Sequence, residues 1–523
     1  MHRTSASARD KRKSGCSAWR QGGSIMQVQT QDSNMVSQVQ EQCSPHLRML
    51  TDAQMTRLHQ ASMEILATVG IRVNHQEGVR VLRDAGCKVK DDNLVLIPET
   101  LVEESIRSAP SCITMFNRKG DVAMRLEGYN SYFGLGTDLI QTYDLQTNAL
   151  RPSCLQDVVN AARVVDYCSD IDFAASYALP QDVPTNTMYI ESFRALVKNT
   201  VKPIFFTAAG REDLATIFDM AAAVAGGRDA LRKKPFLIHY AETQSPLTHS
   251  QSGVDKLFLC ADNGLPVNYT QGMLAGASGP VTLAGAIAVA NAEALSGVVL
   301  HQVRAPGAPI VTGLTVVPLD MRTTIFSYGA PEYRLTDAAY THLYHHYHLP
   351  QWGTAGCSDS NILDQQAAAE AAISILMSAL SGANLIHDIG YLGQGLIGNP
   401  AAIVMCDELI SYVRRLLQGI VLDDETIPMD LIRTLGPGGS YLAEGHTAQH
   451  HRREFWRPRL FNRHSPDAWL AKGGEGYGEA VSRKTRDILS SHRPDPLPEA
   501  VSQAVDEIAG RAEQALAGRS FAV

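Results

Sequence analysis

The aromatic residues Tyr177, Tyr240, Trp352 and Tyr391 each stand at the end of a short β-like run of this sequence. Rings gathered round one opening attract a permanent cation through the negative faces of their π-systems. Acidic residues end several of the same runs, and Glu242 or Asp359 could supply a compensating charge. Gln271 and Thr315 end two more runs and offer polar atoms to line a pocket. His387 is the one histidine at such an end. Cys357 stands beside Ser358 and Asp359, and a thiolate there would need a base, which His387 on the next run could be. A buried structural thiol is the plainer reading.

Gly393-x-Gly395-x-x-Gly398 has the form of a dinucleotide fingerprint, after a strand and before a helix. It lies in the last unit of the fold rather than the first, and no ribose-binding acid is clearly placed. A site for phosphate or a corrin side chain and a simple tight loop remain open beside it. His342, His345, His346 and His348 have metal-binding side chains but end a helix, where imidazoles meet free carbonyls and the helix dipole. His446, His450 and His451 are similarly weak candidates, so no metal site is expected. The patterns G-x-S-x-G, H-E-x-x-H, a Walker loop and the B12-module D-x-H-x-x-G are all absent.

Eight β-rich runs position these residues: Ser131–Gly134, Asp172–Tyr177, Pro203–Ala208, Phe236–Ala241, Pro266–Gln271, Pro309–Thr315, Gln351–Gly356 and Leu385–Ile389. Segments of helical periodicity follow, among them Asp157–Tyr167, Met188–Lys198, Glu212–Val224, Leu283–Gln302, Ala338–Tyr347, Gln366–Leu380 and Ala402–Leu417. Eight such units predict an α/β fold, a (β/α)8 TIM barrel, with a doubly wound open sheet as the competitor. In a barrel the chemistry sits where strands run out into the following loops, which is where the candidates fall. The expected organisation is an extension over 1–45, Ser- and Gln-rich and disordered; a small N-terminal α/β cap over 46–125; the barrel over 126–422; and a C-terminal helical extension over 423–523. The last has a polar, His- and Arg-rich stretch at 424–480 and a final helix over Pro498–Leu516. Met26 and Met35 are plausible alternative starts.

Hydrophobic residues make up 45% of the 523, enough for a large core, and exclude disordered and collagen-like classes. There are 46 basic and 54 acidic residues, a net charge of −8, which argues against nucleic acid or an anionic membrane as partner. Nine scattered cysteines without a C-x-x-C suggest neither a zinc ribbon nor a disulfide framework and point to the cytoplasm. The longest apolar run, Leu283 to Leu300, contains Asn291 and Glu293 and reads as a buried helix, not a membrane span.

Several segments together resemble the trimethylamine:corrinoid methyltransferase superfamily. They are Gly353-Thr-Ala-Gly-Cys357-Ser-Asp-Ser-Asn361 with Asp364-Gln365-Gln366-Ala367 and Glu370; Leu385-Ile-His-Asp-Ile-Gly-Tyr-Leu392; Glu242-Thr-Gln-Ser-Pro-Leu247; and Gly445-His-Thr, His450, Phe455-Trp-Arg-Pro and Arg463. The resemblance spans about 48 to 475. It implies a barrel that passes a methyl group from a methylamine to the Co(I) of a separate, cognate corrinoid protein, so this chain would bind no cofactor tightly itself. Members that use trimethylamine carry pyrrolysine near Gly356–Cys357, where ordinary residues stand here. The chain is therefore similar to the non-pyrrolysine branch, which includes glycine betaine methyltransferases. That implies a quaternary amine, already cationic, which leaves as a neutral tertiary amine without acid catalysis.

On this reading Tyr177, Tyr240, Trp352 and Tyr391 enclose the trimethylammonium head. His387 is the catalytic candidate and orients the substrate carboxylate. Glu242 or Asp359 balances the charge, Gln271, Thr315 and Cys357 line the site, and Gly393, Gly395 and Gly398 lie near the corrin. The superfamily suggests a homo-oligomer. The competing readings are an enzyme for another methylamine such as trimethylamine, a betaine-binding protein without turnover, a metal-dependent barrel hydrolase, and a thiol- or NAD-dependent barrel enzyme.

Overall fold

Eight parallel strands follow one another round a closed ring in the computed structural model, which describes residues 44–516. They are β1 (Tyr132–Phe133), β2 (Ala174–Ala175), β3 (Ile204–Phe206), β4 (Leu237–Glu242), β5 (Val267–Ala275), β6 (Ile310–Asp320), β7 (Gln351–Thr354) and β8 (Leu385–His387). Neighbours pair in chain order, and β8 pairs with β1 through Leu385–Tyr132 and Ile386–Phe133. A parallel bridge between Gly134 and Phe173, with Asp172 N donating to Phe133 O at 2.6 Å, joins β1 to β2. That closure excludes the open sheet and bears out the (β/α)8 barrel. β3, Ile204-Phe-Phe, is buried at every position, as a strand covered on both faces must be.

The connecting helices are α1 (Leu155–Tyr167), α2 (Met188–Asn199), α3 (Arg211–Ala225), α4 (Gln251–Asn263), α5 (Leu283–Arg304), α6 (Pro331–Tyr347), α7 (Gln365–Ser381) and α8 (Pro400–Leu417). Their ends follow local chemistry. Ser250 accepts from Gly253 N at 3.0 Å to begin α4, and Asp364 accepts from Ala367 N at 2.9 Å to begin α7. Gly264 and Gly382, both left-handed, end the same two helices. α6 begins seven residues before the expected Ala338, because Pro331 at its first turn favours a helix start.

α5 is apolar and long enough to cross a membrane, yet it is packed into the barrel wall. Its Glu293 accepts from Ser245 Oγ at 2.8 Å and Leu247 N at 2.7 Å, and its Asn291 donates to Ser62 Oγ and Tyr347 Oη, each at 3.0 Å. Those polar groups need protein partners that lipid cannot supply.

Before the barrel, a helix over Asp52–Glu64 passes into a π-turn over Ile65–Val69 and stops at Gly70. Gly70 has φ +79°, and a Cβ there would lie 2.5 Å from Val95 O. The antiparallel strands Ile71–Val73, Lys88–Lys90 and Leu94–Leu96 follow, with helices Gln76–Asp84 and Glu99–Ser108. Thr248–His249, from the segment after β4, adds to Ile71–Val73 in parallel and ties these elements to the barrel. The expected extension over 1–45 falls almost wholly outside the described residues.

After α8 the chain forms helices Met429–Leu435, Gly445–Glu454, Pro466–Ala471, Tyr477–Ser491 and Glu499–Leu516. The helix over Tyr477–Ser491 was not expected, and it packs on α8 and α1. The buried Glu408 of α8 holds this extension by accepting from Arg459 N at 2.8 Å and Leu460 N at 3.0 Å.

Candidate active site

Alternation along the strands decides which candidates face the barrel axis. On β4, Tyr240 stacks on Trp352 of β7 at 5.7 Å between ring centroids. Trp352 in turn lies 4.2 Å from His387 of β8, and Phe205 of β3 lies 5.2 Å from Tyr240. These rings form one aromatic layer across the interior. Two residues on, Glu242 stands above that layer and accepts a hydrogen bond from the Tyr240 hydroxyl. Protein walls surround the Glu242 carboxylate, but its surface is open to solvent, as expected for the floor of a deep depression. Gly272 of β5 is also exposed, and a Cβ on it would lie 3.9 Å from Glu242 Oε1. Thr315 of β6 is in register with Gly272 and so shares its face, and its buried hydroxyl has no partner among the described residues.

Two further carboxylates reach this depression. Asp138, past β1, accepts from Thr137 Oγ1 and Thr207 Oγ1, each at 3.1 Å. Asp388, past β8, lies against Gly136, where a Cβ would come within 1.8 Å of Asp388 Oδ1. Burial raises the pKa of all three acids. The charges of Glu242 and Asp138 add to that effect on Asp388, which is pushed up to about 8. Lys256 of α4 opposes the shift at Asp138 and Glu242, and it donates to Ala208 O at 3.0 Å. Asp138, Tyr177 and Asp388 all hold left-handed backbone (φ +68°, +59° and +70°). Such conformations are costly for residues other than glycine and concentrate at functional sites.

His387 is 5% exposed, and burial depresses its pKa to about 3, so it is neutral. Nδ1 lies 3.2 Å from Gly353 O and 3.3 Å from Thr354 Oγ1. The carbonyl can only accept, which places the proton on Nδ1 and a lone pair on Nε2. Nε2 faces Asp388 Oδ1 at 3.4 Å. His387 is thereby committed to Asp388 and cannot donate to a substrate carboxylate from Nε2, which changes the role expected from sequence.

The other candidates divide. Tyr177 and Tyr391 are fully buried, edge to face at 5.8 Å, with the Tyr391 hydroxyl donating to Tyr177 O at 3.0 Å. They brace the wall, whereas Tyr240 and Trp352 form the aromatic layer beneath the carboxylates. Gln271 points into the helix layer toward Tyr340; the inward position beside it is Gly272. Asp359 accepts from Ser327 Oγ and from Tyr328 N at 2.8 Å, so its carboxylate holds the loop after β6. Cys357 is 1% exposed with its pKa raised by burial, an inert thiol. Gly356 (φ +73°) is packed against Ile389, with 2.7 Å from an added Cβ to Ile389 Cδ1. Neither residue opens on the depression.

Gly393 and Gly398 belong to a hairpin of Tyr391–Leu392 with Ile397–Gly398, not to a loop that directly opens a helix. A Cβ would meet Tyr328 at 2.9 Å from Gly395 and the Tyr177 hydroxyl at 2.5 Å from Gly398. These glycines let the hairpin close against the tyrosines of the mouth.

Sequence reasoning did not single out Phe205, Lys256 or Tyr328, and it gave no role to Asp138 or Asp388. Tyr328 stacks on Tyr333 at 5.6 Å, and its hydroxyl is acted on by Asp388 and Glu242. It lies in a loop outside any strand, so no strand-end rule reaches it. Of the histidines before β7, His342 Nδ1 accepts from Met49 N at 3.0 Å and Leu50 N at 3.2 Å, and His348 is the left-handed helix cap. They sit at the base, away from the mouth.

A closed barrel with an acidic, aromatic depression at the C-terminal ends of its strands defines an α/β-barrel enzyme. The family model for trimethylamine methyltransferase (MTTB) matches residues 17–517. A trimethylamine methyltransferase MttB of Desulfitobacterium hafniense is 30% identical over 468 residues, covering 88% of this chain and 93% of the relative. A glycine betaine methyltransferase of the same species is 30% identical over 458 residues, covering 87% and 95%. The Methanosarcina barkeri MttB is 29% identical over 479 residues, covering 90% and 96%. A crystal structure of the hydroxylamine MtmB complex aligns at a TM-score of 0.47 and 11% identity, over 90% of this chain and 89% of that one. The chain belongs to the trimethylamine methyltransferase family, and it is a methyltransferase.

Proposed function

We propose that this methyltransferase takes a methyl group from a quaternary amine of the betaine type and delivers it to the Co(I) of a corrinoid held by a separate partner protein. The observation that carries this reading is the mouth itself, with the faces of Tyr240 and Trp352 below and the carboxylates of Glu242, Asp138 and Asp388 around it. A permanent cation gains from both and loses its water on entry. Its nitrogen leaves as a neutral amine, so the chain has only to desolvate and orient it. The corrinoid, when docked, would supply the nucleophile. The residues of this chain hold the ammonium head against the rings, and the open side above Gly272 leaves room for approach from the rim. The unpartnered Thr315 hydroxyl is a donor for a substrate carboxylate.

A relative of equal identity named for trimethylamine favours a second reading, a tertiary amine substrate. The test is methyl transfer to free cob(I)alamin, followed by its absorbance, across glycine betaine, proline betaine, carnitine, γ-butyrobetaine and trimethylamine. Activity with a quaternary amine and none with trimethylamine is the expected result; the reverse overturns the proposal. Exposed apolar residues of the C-terminal extension, including Leu442, Phe455 and Leu470, support a homo-oligomer. The free state of all seven described cysteines supports a cytoplasmic location.

A further inference from the structure

We propose that His59, Glu99 and Glu103 bind one divalent first-row metal ion, with zinc the best match to their donors, on the base side of the barrel. His59 lies on the helix Asp52–Glu64, and the two glutamates lie one turn apart on Glu99–Ser108. Four-residue spacing puts both carboxylates on one helix face. One donor atom from each of the three residues lies within 4.8 Å of the others. An imidazole with two carboxylates is a zinc-type ligand set.

The imidazole is held in the manner of a metal ligand. His59 Nδ1 is 3.0 Å from the Tyr347 hydroxyl, and that hydroxyl accepts from the buried Asn291 Nδ2 at 3.0 Å. With Nδ1–H donating to that hydroxyl, Nε2 is the nitrogen open to an ion, and such outer contacts orient ligating histidines. A cavity of about 430 Å³ beside the cluster is lined by His59, Glu103, His346, Tyr347 and His348. His346 lines the same cavity from the end of α6. Glu103 also has Arg107 at 3.6 Å, but that exposed pair is weak and a metal would displace it.

His346 and Tyr347 end α6, just before β7 begins, which puts the cluster on the base side rather than at the mouth. The ion would tie the two helices that precede the barrel to each other and act on stability, not on methyl transfer. The test uses the full chain, free of any tag and dialysed against chelator, titrated with zinc by calorimetry and with Co(II) by visible absorbance. The expected result is one ion per chain and a thermal midpoint that rises with zinc. His59→Ala, and separately the pair Glu99→Gln with Glu103→Gln, weaken binding at least about tenfold. Circular dichroism and cob(I)alamin methylation by the metal-free variants report that the fold is kept. His450→Ala, at the second histidine group, leaves the affinity unchanged. Absence of saturable binding, or wild-type affinity in both variant sets, overturns the site.

Discussion

His387 Nε2 and Asp388 Oδ1 lie 3.4 Å apart at the mouth of the barrel, and neither carries a charge at neutral pH. Burial takes the imidazole down to about 3 and the carboxyl, facing Glu242 and Asp138 as well, up to about 8. The pair is thus a neutral acid held by a neutral base. A positive charge in the depression favours the ionised carboxylate.

Cation binding is expected to release about one proton at pH 7 and to tighten as pH rises toward 8, flattening above it. The groups facing Asp388 are Glu242, Asp138, His387, Tyr240, Tyr328, Tyr391 and Cys357, with Lys256 acting on the first two. Calorimetry with the preferred quaternary amine in buffers of different ionisation enthalpy counts the proton. Asp388→Asn should release none. In the free protein the raised carboxyl binds a proton that the unfolded chain has lost above 3.8, so stability should fall between about pH 4 and pH 8. The same variant should flatten that slope in urea titrations.

Replacing His387 by alanine should lower kcat/KM by at least about 100-fold, since it frees Asp388 and opens the aromatic layer. Far-UV circular dichroism should be unchanged. Full activity in His387→Ala would mean that the site has been misplaced.

Gly136→Ala tests the same geometry from the other wall. Its new methyl would meet Asp388 Oδ1 at 1.8 Å and Tyr391 Cε2 at 3.0 Å, so the carboxylate is the part that must move most. A shift of that size should also cost about 100-fold in turnover. The cation affinity should become less dependent on pH.

Trp352→Ala should destabilise the fold by about 3–5 kcal/mol as well as weaken binding, because the indole is 2% exposed in the layer. Tyr240→Phe separates the two effects: it keeps the ring and removes the bond to Glu242. Its affinity for the cation should change less than that of Tyr240→Leu, which forfeits about 0.5–2 kcal/mol of cation–π attraction. Equal affinities for the two Tyr240 variants would remove the aromatic role.

Cys357 should resist iodoacetamide until the chain unfolds, and Cys357→Ala should keep most of its activity. Asp359→Ala should act differently from either: it frees the loop at Ser327 and Tyr328, so KM should rise while the thermal midpoint changes little. Rapid labelling of Cys357 in the native protein would contradict its burial.

The eight strands were legible because they are short apolar or β-branched runs, most of them opened by Pro or Asn, and periodicity is a local property of the chain. The aromatic and acidic strand ends were legible for the same reason, since the barrel fixes which end carries chemistry. Tertiary structure alone decided which of them meet. Gln271 and Gly272 are neighbours in sequence, yet the pleat turns one to the helices and the other to the mouth, and a single residue of register reverses that choice. Asp359 and Asp388 are both acids past strand ends, but one is consumed by a loop and the other stands against Gly136, just past the adjoining first strand and far away in sequence. Tyr328 and His59 reach their sites through contacts with residues far along the chain, and no spacing in the sequence records a distance through space.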